Sequence, residues 1–161
     1  MIRTITIICG FLFLLSSCVK EEVPNKNVND DNYGDDFPTM TMERQVVEIV
    51  NNERAKKNLA PLLIDESLMK SCDIRAKETV TKFSHDRPDG KSCFTAIEIP
   101  YSAAGENIAN GQSNAEAVMN SWMNSEGHRK NILSDIYTHI GVGCYESNNK
   151  LYWVQLFVRK K

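Results

Sequence analysis

Apolar residues in the C-terminal three quarters of this chain recur first at helical and then at strand intervals. Val46, Ile49 and Val50 follow Thr41, whose hydroxyl can accept from the free N–H groups of a first turn. This pattern predicts a helix that ends near Asn58, with Pro61 just beyond. From Asp65 to about Lys82, Met69, Cys72, Ala76, Val80 and Phe83 fall three and four apart, so a second helix is predicted with that stripe facing inward. Residues 84–112 show weak periodicity among Gly and Pro and read as a long loop region, of the kind that carries function. Ser113 with Glu116 forms a capping box for a third helix that buries Ala115, Val118, Met119, Trp122 and Met123, and Asn131 to Leu133 close a short turn. Two strands finish the chain, Ile140–Tyr145 and Leu151–Val158, joined through Ser147, Asn148, Asn149 and Lys150. The last strand is apolar without alternation, which requires cover on both faces. The predicted fold class is α/β, an α-β-α sandwich whose small, mainly antiparallel sheet lies between helices.

The pattern at the other end is different. Arg3 precedes an apolar run from Ile5 to Leu15, about eleven residues, too short for the ~20 needed to span a bilayer and suited to the core of an export signal. Leu15, Ser16, Ser17 and Cys18 resemble the lipobox of bacterial lipoproteins, which implies a signal peptide over 1–17 and lipidation at Cys18. Acyl chains on that cysteine would anchor the protein to a membrane outside the cytoplasm, at about 0.8 kcal/mol per buried methylene. Lys20, Glu21 and Glu22 resemble the signal that sends some lipoproteins to the cell surface. Residues 18–42 are a tether rich in Asn, Asp and Pro, and 43–161 are the folded domain.

Charge sharpens this division. Residues 1–18 carry +1, residues 19–42 carry −4 and the remainder +1, within a formal total of −2. A nearly neutral domain lacks the basic excess a nucleic-acid binder needs, so no nucleic-acid partner is expected. The acidic run from Asp30 to Asp36 is no EF-hand, since Asp35 and Thr41 stand where that loop requires Gly and Glu. Cys72, Cys93 and Cys144 remain in the domain, an odd number that permits at most one disulfide.

Candidate chemistry rests on His85 and His128, with Glu106 and Glu126 nearby in glycine-containing segments, Gly105-Glu106 and Glu126-Gly127-His128. Two imidazoles and two carboxylates suit a divalent metal or acid/base work. His139, beside a strand, reads as structural. Gly141-Val142-Gly143 has no third glycine and is no dinucleotide loop.

Six blocks in order carry a family resemblance: Val50-Asn51-Asn52-Glu53-Arg54-Ala55, Phe83-Ser84-His85, Gly105-Glu106-Asn107-Ile108-Ala109, Trp122 through Leu133, His139 through Gly143, and Trp153 through Phe157. Together they resemble a domain of the CAP superfamily (cysteine-rich secretory, antigen-5 and pathogenesis-related proteins) in its compact bacterial form. The resemblance implies the same sandwich, with a cleft whose floor carries a tetrad, here His85, Glu106, Glu126 and His128. It implies a zinc-like divalent ion on His85 and His128, oriented or completed by the two glutamates, and an unknown ligand in the cleft of a monomeric binding module. Metal-assisted hydrolysis of peptides or esters, and lipid or sterol capture, are the alternatives the family leaves open.

Overall fold

The computed structural model describes residues 40–161. The expected signal peptide 1–17, the lipidation site Cys18 and nearly all of the tether 18–42 lie outside the described residues.

Helix α1, Met42–Ala55, opens at Thr41 as expected, with the Thr41 side chain accepting from the Arg44 N–H at 3.5 Å. It buries Val46, Val47 and Val50, while Ile49 packs at the margin of the core. The helix stops three residues short of Asn58, which turns the chain with φ 56°. Its last turn is held by Arg54, a buried guanidinium that donates to the carbonyls of Ala60, Ile132 and Ser134 at 2.9, 2.8 and 2.7 Å. Asn51 likewise holds the following segment by exchanging hydrogen bonds with both backbone groups of Leu62.

A short strand, β1 (Leu63–Ile64), leads into helix α2, Glu66–Thr81, capped by Asp65, which accepts from the N–H groups of Ser67 and Leu68. The buried stripe of α2 is rotated from the expected one: Leu68, Ser71, Cys72, Arg75, Ala76 and Thr79 face inward, and Phe83, past the helix end, is 49% exposed. The cause is polar satisfaction. Ser71 and Thr79 donate to carbonyls of their own helix and Arg75 is saturated by acceptors, so all three can be buried without an orphaned donor.

The predicted long loop contains a strand, which corrects that expectation: after a turn of 3-10 helix at Cys93–Ala96, β2 runs Tyr101–Asn110. Its sequence of Ala, Gly, Asn and Glu has little strand propensity, so the antiparallel ladder with the last strand forms it, from Tyr101 opposite Lys160 to Asn110 opposite Tyr152. Helix α3, Ala115–Asn124, is capped by Asn114, not Ser113. The expected turn near Asn131 is the end of a longer helix, α4, Glu126–Ile132.

Strands β3 (His139–Ser147) and β4 (Lys150–Lys160) form the predicted hairpin, and Asn148 and Asn149, with φ 52° and 58°, supply the left-handed pair that a two-residue turn favours. The sheet order is β1-β3-β4-β2, with β1 parallel to β3 and the other pairs antiparallel. Helices α1, α3 and α4 cover one face over Trp122, Trp153 and Phe157, and α2 covers the other over Val154, Leu156 and Val158. Gly141 and Gly143 sit where α2 crosses β3: a Cβ on Gly141 would lie 2.5 Å from the carbonyl carbon of Leu68, so glycine is what lets the helix lie against the strand. Cys72, Cys93 and Cys144 are free thiols.

Candidate functional site

Strand β2 lies at one edge of the sheet and alternates between its faces, so Glu106 and Asn107 point to opposite sides. Glu106 points to the α2 side, where its carboxylate is 1% exposed. Burying that charge requires compensation, and Arg75, itself 0% exposed, supplies it: Nε donates to Oε1 at 2.9 Å and Nη2 reaches Oε2 at 3.5 Å. Arg75 also donates to Glu78 at 2.7 Å and to the Ser84 carbonyl at 2.8 Å. Burial disfavours its charge, but the bonds to Glu106 and Glu78 outweigh this and hold its pKa above the ordinary value. Arg87 closes the network on Glu78.

His85 rides on the loop this network pins. Its carbonyl accepts from the Cys93 N–H at 2.9 Å, and Asp86 bridges to Ser92. The ring meets Glu106 through Nδ1, 2.7 Å from Oε2, while 59% of the side chain is exposed. Facing a carboxylate, Nδ1 carries the proton, which leaves Nε2 of the neutral ring as a lone pair directed away from Glu106. The same hydrogen bond, against an opposing effect of burial, raises the His85 pKa above 6.5.

His128 reaches the cleft from α4, which is stitched to β2 by amides. Asn107, fully buried, donates to the His128 carbonyl at 3.2 Å and to Gln155 Oε1 at 3.0 Å, and accepts from Asn131 at 2.8 Å. Asn131 also donates to the Glu106 carbonyl at 3.2 Å. Arg129 donates to the Met123 carbonyl at the end of α3, the helix-end role its position suggests. Burial lowers the His128 pKa, and the charge of His85 lowers it further, so the two imidazoles sense one another.

The structure therefore gathers His85 and Glu106 in direct contact, with His128 within electrostatic reach. Glu126 stands apart: 73% exposed at the start of α4, it pairs with Lys130 at 2.8 Å. His139 opens β3 and bonds to its neighbour Thr138, as a structural residue would. Cys93, one of the three cysteines of the domain, lies beside these groups. Its sulfur, a His85 nitrogen and a Glu106 oxygen lie within 4.8 Å of one another, and the thiol is pushed up to about 12 by burial and then by the Glu106 charge. Two cavities flank these groups, one of about 460 Å³ against His85, Cys93, Glu106 and Tyr137, and one of about 300 Å³ against Phe83, Ile108, Trp122 and His128. Arg75, Asn107 and Asn131 escaped sequence reasoning. The available signal was an arginine between Cys72 and Ala76 on an inward helix face, which can only be buried if an acid meets it.

In a histidine metal ligand, the second ring nitrogen almost always donates to a carboxylate or carbonyl, and His85 has that arrangement. Glu106 has both oxygens engaged by Arg75 and His85. Among the described residues, the one group of three ligand-type side chains close enough to share an ion is His85, Cys93 and Glu106.

The family profile of the cysteine-rich secretory protein family (CAP) matches residues 47–157. The uncharacterized protein YkwD of Bacillus subtilis (strain 168) is 48% identical over 123 residues, covering 73% of this chain and 47% of that protein. The uncharacterized membrane protein YlbC of the same organism is 31% identical over 125 residues, covering 74% of this chain and 35% of YlbC. The match thus spans about half or less of these relatives. Among solved structures, an extracellular protein containing an SCP domain from Bacillus anthracis str. Ames superposes with a TM-score of 0.68 at 32% identity, over 74% of this chain and 40% of that one.

Proposed function

This chain belongs to the cysteine-rich secretory protein family, and from that premise we propose that it is an extracytoplasmic binding module whose cleft takes a zinc-like divalent ion on His85 and His128. Glu106 acts as the positioning carboxylate behind His85, and Arg75 holds that carboxylate in place. The contact between His85 Nδ1 and Glu106 carries this reading, because it aims the one free nitrogen of a buried-anchored ring toward the open cleft. Export is supported by the apolar run from Ile5 to Leu15 ahead of Cys18 and by the description of the Bacillus anthracis relative as extracellular. Lipidation at Cys18 would hold the module at a membrane surface. The ligand that shares the cleft with the ion belongs to the same proposal.

Thermal unfolding of the metal-stripped chain with and without zinc tests the ion. A ligand present at a hundred times its Kd stabilises the native state by about 2.7 kcal/mol. Zinc should raise Tm for the native sequence and leave the His85→Ala, His128→Ala double variant unmoved; equal shifts in both would refute the site. Intact mass of the membrane-extracted protein, compared with Cys18→Ala, tests the anchor.

A further inference from the structure

The outer edge of β2 carries a second signal, independent of the metal. Three carbonyls at alternate positions, those of Ala104, Glu106 and Ile108, point away from β4, and each is taken by a side chain. Tyr137 Oη donates to the first at 3.3 Å, Asn131 Nδ2 to the second at 3.2 Å and Trp122 Nε1 to the third at 3.4 Å. In an extended strand the N–H and C=O of one residue lie on the same side. The N–H groups of these three residues therefore face the same edge, and no acceptor among the described residues meets them. Glu106 and Ile108 are only 6% and 7% exposed, and a peptide N–H in such surroundings needs an acceptor from water or from a ligand.

The spacing selects the ligand. Alternate strand residues stand about 6.8 Å apart, which is the repeat at which an extended polypeptide presents its own carbonyls on one side. The two cavities follow the same edge, one beside Ala104 and Glu106 and the other beside Ile108 and Asn110. The strand residues that border them, about Gly105 and about Ala109, are four positions, roughly 13 Å, apart along the strand. The first is polar, with His85, Asn131 and Tyr137 in its wall, and the second is bordered by Phe83, Ile108 and Trp122. We propose that this groove binds an extended peptide through the row of N–H groups on β2, with a polar side chain in the first cavity and an apolar one four residues away in the second. Because the strand's carbonyls are already engaged, the peptide acts mainly as acceptor, a one-sided form of strand addition. The capped carbonyls also keep the edge from pairing with another copy of the chain. This rests on the reading of the cleft as a binding site and names the class of its ligand, while the row of N–H groups does not require the ion.

The test uses the purified full chain, 15N-labelled, and a positional-scanning library of unstructured hexapeptides, with chelator and separately with zinc. The expected result is enrichment of peptides with an apolar and a polar residue four apart, and downfield shifts of the Ala104, Glu106 and Ile108 amide protons when the best peptide is added. Ala104→Pro, which removes one outward donor without touching the ladder to β4, should weaken that peptide at least tenfold. Absence of any enriched peptide, or binding that leaves these three amides unmoved, would overturn the proposal. Shifts that persist in chelator hold even if zinc binding fails, so the two readings are judged separately.

Discussion

Glu106 accepts the Nδ1–H of His85 at 2.7 Å while its other oxygen is held by Arg75 at 2.9 Å, so one buried carboxylate fixes both a guanidinium and an imidazole. The chain of contact runs from the inner face of α2, through the edge strand, to the only partly exposed ring in that row. Removing its middle member exposes the others.

Glu106→Gln leaves Arg75 as a buried charge with one carboxylate partner lost. Breaking a buried pair from one side costs roughly 3–5 kcal/mol. Urea unfolding should show a loss of that order, against a change near zero for Glu126→Gln, whose exposed pair with Lys130 contributes little.

The two imidazoles should titrate on opposite sides of 6.5. His85, raised by its bond to Glu106, contributes stability that is complete below its unfolded pKa and is lost as pH rises through the folded value. His128, lowered by burial, contributes stability that is complete above its unfolded pKa and is lost as pH falls through the folded value. Ring-proton chemical shifts against pH measure both directly. Since an ion must displace the His85 proton, zinc affinity should weaken by about tenfold for each pH unit below the His85 pKa. An affinity flat across that range would remove His85 from the ligand set.

Asn107 joins α4 to β2 and β4 through three hydrogen bonds. Asn107→Leu leaves buried amide and carbonyl groups unpaired, at about 1–3 kcal/mol for each group stranded. Hydrogen exchange should quicken across Glu126–Ile132 well before the hairpin β3–β4 responds.

Gly143→Ala places a methyl against the α2 backbone at Cys72, where nothing flexible can yield. A loss of about 1–3 kcal/mol or more is expected, as for other overpacked positions. The same change at Gly127, which has open space around its Cβ position, should be nearly neutral.

Much of the fold was legible because apolar period and cap chemistry agreed: Thr41, Asp65 and the Asn148-Asn149 turn each act as their residue types require. Strand β2 was not, because Ala, Gly and Asn pair with β4 for tertiary reasons that leave no local trace. The buried face of α2 departs from its apolar stripe for a related reason. The apolar stripe alone gives no reason to bury Arg75 beside Cys72 and Ala76, and Glu106, facing α2 from the sheet, supplies it. At the site, His85 and Glu106 were found by type and meet in space, whereas Glu126, equally suggestive in sequence, faces solvent at the start of α4. Short spacing between an acid and a histidine on one helix does not decide which way each points.

The measurement that bears most directly on the whole account is a calorimetric zinc titration of the purified chain beside its His85→Ala, His128→Ala and Glu106→Gln variants. One ion per chain is expected, with binding abolished in either histidine variant and weakened but present in Glu106→Gln, because the ring keeps its nitrogen and loses its support. Stoichiometric binding that persists with unchanged affinity when both histidines are replaced would contradict it.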